Sequence, residues 1–420
     1  MASPSQSHPG TGSTNGENRY QVVIVGAGSA GIAVAASLLK RSRGLRVALV
    51  DPAREHFYQP GWTMVGGGVF NAESTRRQTA DLIPAGARWI AQAVASLDVE
   101  ANRVLLADGT ALYYEQLVVA AGLKLDWEAI EGLTETLGRN GVTSNYRYDL
   151  APYTWQLVQQ MRGGRALFTQ PPMPIKCAGA PQKALYLSAD HWLRRGVLKQ
   201  IDLHFYNAGA VLFGVPEYVP TLSSYMEKYH AHLHYQHRLL RIDGEERKAW
   251  FACTLENGSS EVVEQSFDMI HVCPPQCAPA FIRDSQLADG NGWMAVDPAM
   301  LRHTRHENVW GLGDCTNTPN AKTMAAVRKQ APVVAQNICD TFAGKTPSRR
   351  YDGYGSCPLT VERGKIVLAE FCYGGQVSPT FPAWINDGTK PTRLAWELKA
   401  RVLPPLYWHG MLKGHEWLTS

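Results

Sequence analysis

Cysteine is scarce in this chain, at 8 of 420 residues. That is too sparse for a disulfide scaffold, so any cysteine that matters is catalytic, redox-active or simply buried. An excess of one charge is also lacking. Lys and Arg number 41 against 37 Asp and Glu, and a net charge of +4 gives no reason to expect a nucleic-acid partner. No apolar run reaches the ~18 residues of a membrane span. Residues 1–18 contain neither the apolar block of a secretory leader nor the arginines of a transit peptide, and read as a disordered tail. What is present suits a packed protein of two or three domains: 45% apolar and 19% charged residues.

Order is expected from Tyr20. Val22-Val23-Ile24-Val25 is a short β-rich apolar run, the mark of a buried parallel strand. Gly26-Ala27-Gly28-Ser29-Ala30-Gly31 follows, then an Ala/Leu/Val helix to about Lys40, then a second strand Arg46–Val50 closed by Asp51. These are the parts of a dinucleotide-binding βαβ unit in order. Gly26 permits the tight turn, Gly28 admits a pyrophosphate, Gly31 lets helix and strand pack closely, and Asp51 receives the adenosine ribose. The free N–H groups at the helix start face the anion. Far downstream, Val309-Trp310-Gly311-Leu312-Gly313-Asp314 is another strand ending in Gly-Asp, with a helix predicted from Lys322-Thr323 through Gln336. It matches the second FAD fingerprint of glutathione-reductase-like flavoproteins, and this selects FAD, held non-covalently, over NAD. A positive helix end or Lys322 beside the ring favours the anionic reduced flavin. Gln116–Gly122 resembles that family's strand out of the FAD domain.

A glutathione-reductase-like chain then inserts a second dinucleotide domain, usually for NAD(P)H. The strand Arg165–Thr169 is there, but the glycine loop is replaced by Gln170-Pro171-Pro172-Met173-Pro174-Ile175-Lys176-Cys177-Ala178-Gly179-Ala180-Pro181. Proline has no N–H with which to cradle a phosphate. The loop instead sets Cys177 near the start of a helix predicted over Gln182–Arg194, with Lys176 and Lys183 close by, a setting that favours thiolate. A second cysteine, Cys357, lies in the Gly-rich stretch Tyr351–Leu359, read as a loop outside any long strand. Spacing alone leaves open whether the two cysteines meet.

The chain resembles the sulfide:quinone oxidoreductase family from about Tyr20 to Trp417. The Gly26–Gly31 loop, His56-Phe57-Tyr58-Gln59-Pro60-Gly61-Trp62, Ile175–Lys183, Gly311–Asn317 and Tyr354–Leu359 carry the resemblance. Leu123–Trp127 lacks the third cysteine of enzymes that release long polysulfides, so the match is to the two-cysteine branch. The resemblance implies an α/β fold with two Rossmann-like domains and a C-terminal membrane-associating segment. The FAD domain is expected over 19–126 and 287–345, the second domain over 127–286, and a C-terminal region over 346–420. It implies that Cys177 and Cys357 are bridged by sulfur at rest and that hydrosulfide attacks at Cys357. The released Cys177 then engages the flavin, and a small acceptor (glutathione, sulfite, cyanide or coenzyme A) removes the sulfane sulfur. Ubiquinone or another membrane quinone takes two electrons. Ser29, Ala30, Asp51, Gln59, Val94, Asp314 and Lys322 are implied FAD contacts, and Lys183 a support for charge in the sulfide pocket. The implied location is peripheral, on the cytoplasmic face of a bacterial inner membrane; a homo-oligomer is left open.

Two other functions fit parts of the pattern: an NADH:quinone oxidoreductase of the same fold, which needs a second glycine motif, and a non-catalytic flavin-binding protein, which has no use for two reactive cysteines. Cys273-Pro274-Pro275-Gln276-Cys277 has marginal spacing for zinc and no second ligand pair, so no metal is expected. His230, His232 and His234 read as a solvated strand edge, and Cys315 as packing. Near the C-terminus, Thr392–Leu403 reads as an amphipathic helix stopped by Pro404 and Pro405, with Lys399 snorkelling from its apolar arc. Leu406–Lys413 begins a second amphipathic piece. Both are expected to lie on the membrane as a separable anchor, so that a chain ending near Pro391 keeps its cofactor.

Overall fold

The computed structural model describes residues 18–255, 258–320 and 322–417; most of the expected disordered tail lies outside them. The fold is α/β, with two Rossmann-like sheets. In the first, Arg19–Val25 lies between the parallel strands Val47–Val50 and Ala111–Val119, with Ala87–Ile90 and Val309–Gly311 outside them. Val94–Asp98 and Arg103–Leu106 extend it as an antiparallel arm. Val22, Val23, Ile24 and Val25 are buried on both faces, which is why the strand reads as one apolar run. Helix Ser29–Arg41 covers one face and packs on helix Met324–Phe342, whose N-cap Thr323 accepts from the Ala326 N–H.

The second sheet is five-stranded and parallel, in the order Val142–Thr143, Met269–His271, Gly164–Gln170, Ile201–Asn207, His232–Tyr235. Helix Ala180–Arg194 starts two residues earlier than predicted. A third, antiparallel sheet pairs Gly355–Glu362 with Lys365–Phe371 and then with Pro391–Thr392. Cys357 therefore sits inside a strand, not in a loop. Pro358 is tolerated there because Gly355–Glu362 is an edge strand, where a missing ladder N–H costs little.

The C-terminal segment departs further from expectation. It winds without interruption through Pro404 and Pro405, as Arg393–Glu397, the wide-turned Leu398–Val402, Leu403–Pro405 and the wide-turned Leu406–Gly410. Wide turns replace the i to i−4 bonds that proline forbids, so the helix is not broken. Tyr407, Trp408, Met411 and Leu412 are not on a membrane face. They are buried in the core that packs on the first sheet, in one cluster with Ile32, Ala35 and Val334. Glu416 pairs with Arg41 at 2.5 Å and accepts from Ser37, which straps the tail to helix Ser29–Arg41. This segment is part of the domain and not a separable anchor; a chain ending near Pro391 loses core.

Candidate functional site

A cavity of about 530 Å³ opens between the two sheets and the C-terminal segment. Gly28, Ser29, Ala30, Asp51 and Gln59 line it from the first domain, Cys177 and Lys183 from the second, and Asp314 and Lys322 from the Gly-Asp segment. Gly26 and Gly31 shape it without lining it. Gly26 has φ +105°, and a Cβ there stands 2.5 Å from the Ala120 carbonyl; a Cβ on Gly31 meets the Gly26 carbonyl at 1.8 Å. At Gly28 a Cβ has open space on all sides, the approach a pyrophosphate needs. Val94 is the exception among the expected contacts. It packs beside Leu97 on the antiparallel arm and does not line the cavity.

Asp51 accepts from the Ala27 N–H at 2.7 Å and the Ala53 N–H at 2.8 Å, so it braces the turn as well as facing the cavity. Lys322 Nζ donates to the carbonyls of Asp314 (2.8 Å) and Thr316 (2.6 Å) and lies 4.0 Å above the Trp293 ring. Burial pushes the Asp314 carboxyl up, while Lys176 and Lys322 pull it down. Trp62 Nε1, Thr63 Oγ1 and both ends of the Asn145 amide are buried on the cavity wall without a hydrogen-bond partner among the described residues. Unsatisfied polar groups, open space at Gly28 and the helix start at Met324 together fit a large polar cofactor such as FAD.

The two cysteines meet. Cys177 Sγ and Cys357 Sγ are 3.2 Å apart as free thiols. Lys183 Nζ donates to Cys177 at 2.9 Å and reaches Cys357 at 3.6 Å. The hydrogen bond from Cys357 and the Lys183 ammonium hold the Cys177 thiol well below its usual range. The same bond and burial push Cys357 well above it. Cys177 lines the cavity; Cys357 is 1% exposed and lies behind it. Lys176 does not join the pair. It points to Gln59 and over the Trp62 ring.

Sequence reasoning missed two residues here. Gly179 is a close-approach glycine: a Cβ on it stands 2.1 Å from Leu359 Cδ2 and 3.2 Å from Cys357 Sγ. Lys399 does not snorkel to a membrane. It is 5% exposed, donates to the Pro358 carbonyl at 3.2 Å, and is pushed down to about 7 by burial and by Lys183. Its position in the amphipathic arc was visible; a partner some 40 residues upstream was not.

Among the described residues no group of three or more His, Cys, Asp or Glu is arranged to hold a metal ion. Burial pushes the Cys273 thiol up to about 12 and the Cys315 thiol up to about 11. His230 precedes the edge strand; His232 is exposed on it, and His234, half-buried on the same face, stacks on Tyr206 at 4.3 Å.

A family model described as pyridine nucleotide-disulphide oxidoreductase matches residues 20–153. The mitochondrial sulfide:quinone oxidoreductase of Dictyostelium discoideum is 39% identical over 401 residues, covering 95% of this chain and 87% of that protein. This chain belongs to the sulfide:quinone oxidoreductase family. The mitochondrial sulfide:quinone oxidoreductase of Mus musculus is 37% identical over 99% of this chain and 91% of its own length. The structure of the sulfide:quinone oxidoreductase from Aquifex aeolicus superposes with a TM-score of 0.77 at 19% identity, covering 95% of each chain, which speaks for the fold. Membership in the sulfide:quinone oxidoreductase family makes this an oxidoreductase and implies FAD as its cofactor, which the residues of the cavity fit.

Proposed function

We propose that this chain oxidises hydrogen sulfide at the Cys177–Cys357 pair and passes two electrons through FAD to a membrane quinone. The observation that carries the reading is the 3.2 Å contact of the two sulfurs, one on the cavity wall, with the Lys183 ammonium within reach of both. In the oxidised pair the sulfurs are bridged. Hydrosulfide attacks Cys357 Sγ, the bond to Cys177 breaks, Cys357 keeps a persulfide and Cys177 leaves as the thiolate that Lys183 stabilises. A small nucleophile, a second hydrosulfide where no other is present, then removes the sulfane sulfur from Cys357. The two freed sulfurs re-form their bond and give up two electrons. Bound FAD supplies the two-electron transfer between sulfur and quinone. Gly26–Gly31 and Asp51 hold its adenosine diphosphate part, and Asp314 with Lys322 its flavin part.

Leu123–Trp127 contains no cysteine, which supports the two-cysteine branch and a single-sulfur acceptor such as glutathione or sulfite. Trp384 is 84% exposed, and Ile385, Leu394 and Val402 are exposed near Lys390, Arg393 and Arg401. No helix among the described residues is long and apolar enough to cross a membrane. Those exposed residues, and not Tyr407 or Trp408, are the proposed contact with the bilayer surface. The membrane is proposed to be a bacterial inner membrane at its cytoplasmic face, or the mitochondrial one that the relatives' names suggest. Sulfide-dependent reduction of a short-chain quinone, assayed with and without each acceptor, tests the reading. Turnover that rises with one acceptor supports it; absence of sulfide-dependent turnover with every acceptor overturns it.

A further inference from the structure

The hairpin of Gly355–Glu362 and Lys365–Phe371 has two faces with different company. Its register pairs Ser356 with Glu370, Cys357 with Ala369, and Pro358 with Leu368. Side chains alternate across a strand. Cys357 and Ala369 therefore share one face, packed with Leu359, Val361 and Phe371 in the core of the second domain. Ser356, Pro358, Leu368 and Glu370 share the other face and line the cavity. There the wall is apolar, with Phe381, Leu398 and Leu403 opposite.

A carboxylate on that face needs a reason, because burying one is costly. Glu370 is 4% exposed. Its Oε1 accepts from Tyr354 Oη at 2.5 Å and from Thr380 Oγ1 at 2.5 Å, and its Oε2 from the Thr380 N–H at 3.1 Å. Tyr354 and Thr380 hydroxyls are also within 3.1 Å of each other, and all three residues line the cavity. Thr380 is solvent-exposed, which gives the carboxylate a route to water. From helix Met324–Phe342, Lys329 Nζ stands 4.5 Å from the Tyr354 ring and Arg328 Cζ 6.0 Å from it. Tyr218 meets only the Glu370 backbone. Burial and Glu370 push the Tyr354 phenol up, so it stays protonated and able to donate.

We infer that Tyr354 and Glu370 deliver one of the two protons that quinone reduction consumes. The inference rests on the proposed quinone reaction. Each quinone takes two electrons, which arrive through FAD, and two protons, one on each carbonyl oxygen. Tyr354 Oη gives one proton to the nearer quinone oxygen and draws its replacement through Glu370 from solvent at Thr380. The proton for the other oxygen would travel with the electron pair that reduced FAD supplies, so two electrons and two protons balance. The hairpin then divides the reaction, with sulfur handled on the Cys357 face and quinone protonation on the Glu370 face.

The test separates the half-reactions in the full-length holoprotein. Wild type, Glu370→Gln and Tyr354→Phe are reduced with sulfide without oxygen. Each is then mixed with a short-chain ubiquinone or with ferricyanide, which takes electrons but no protons. Both variants are expected to be reduced by sulfide within about twofold of wild type. Their reoxidation by quinone is expected to slow by about 100-fold, with its pH dependence changed, while ferricyanide reoxidises them normally. Quinone reoxidation at the wild-type rate and pH profile overturns the inference. Slowing with both acceptors also overturns it, since that is a structural effect. A wild-type protein that quinone fails to reoxidise removes the quinone reading itself.

Discussion

The first strand-to-helix turns of the two parallel sheets answer to the same topology and do different work. After Val25 the chain turns within Gly26–Gly28 and enters helix Ser29–Arg41 with space left at Gly28. After Gln170 it runs through Pro171, Pro172 and Pro174 before entering helix Ala180–Arg194. That longer turn crosses to the other domain, where the Cys177 N–H donates to the Lys322 carbonyl at 2.9 Å. One turn keeps the N–H groups that hold a phosphate; the other gives them up and presents a thiol to the cavity. The same place in a Rossmann-like topology can thus leave backbone open to a phosphate or carry a thiol to a cavity, with the sheet unchanged.

The most severe way to break the contrast is to remove either sulfur. Cys177→Ser and Cys357→Ser are each expected to lower sulfide-driven quinone reduction by about 10³-fold or more while the flavin spectrum is retained, because the two act as one unit. Steady-state turnover in either single variant at a tenth of wild type contradicts this. Gly179→Ala pushes a Cβ into Leu359 and Cys357, and misplacing the sulfurs by an ångström is expected to cost about 100-fold in the rate of flavin reduction by sulfide. Unchanged stopped-flow kinetics count against the close-packed pair. On the cofactor side, Asp314→Ala is expected to weaken FAD binding by about 1.5–3 kcal/mol, read as the dissociation constant from titration of the apoprotein. Lys183→Met is the mildest. The bond from Cys357 and the Lys183 ammonium both lower the Cys177 thiol, so without the ammonium the thiolate forms at higher pH. The rate of flavin reduction by sulfide is expected to fall by about tenfold at neutral pH and recover as pH rises, moving the acid limb of the profile upward. A profile identical to wild type denies Lys183 that role.

Local chemistry was legible in the sequence and long-range packing was not. The Gly26–Gly31 turn, the Asp51 strand end and the Gly313-Asp314 segment announce themselves because each needs particular residues at fixed offsets. The loss of the second glycine loop was equally plain at Pro171–Pro174. Cys357 was read as a loop residue because Gly353, Gly355 and Pro358 surround it; only the pairing with Lys365–Phe371 reveals an edge strand. The meeting of Cys177 with Cys357, the burial of Lys399 on Pro358, and Tyr407 and Trp408 in the core of the first sheet all join residues far apart in the chain. An amphipathic pattern states that a helix has an apolar face and not what covers it. Val94 is an expected contact by resemblance alone, and no local pattern bears on its place off the cavity.

The thiol-bearing turn is tested most directly by mixing the oxidised, FAD-loaded protein anaerobically with sulfide and, separately, with NADH, while following flavin absorbance. Fast bleaching by sulfide and none at a comparable rate by NADH is the expected result. Rapid bleaching by NADH, with sulfide inert, would mean that the Pro171–Cys177 turn still serves a nicotinamide and that the cysteine pair does not carry the reaction.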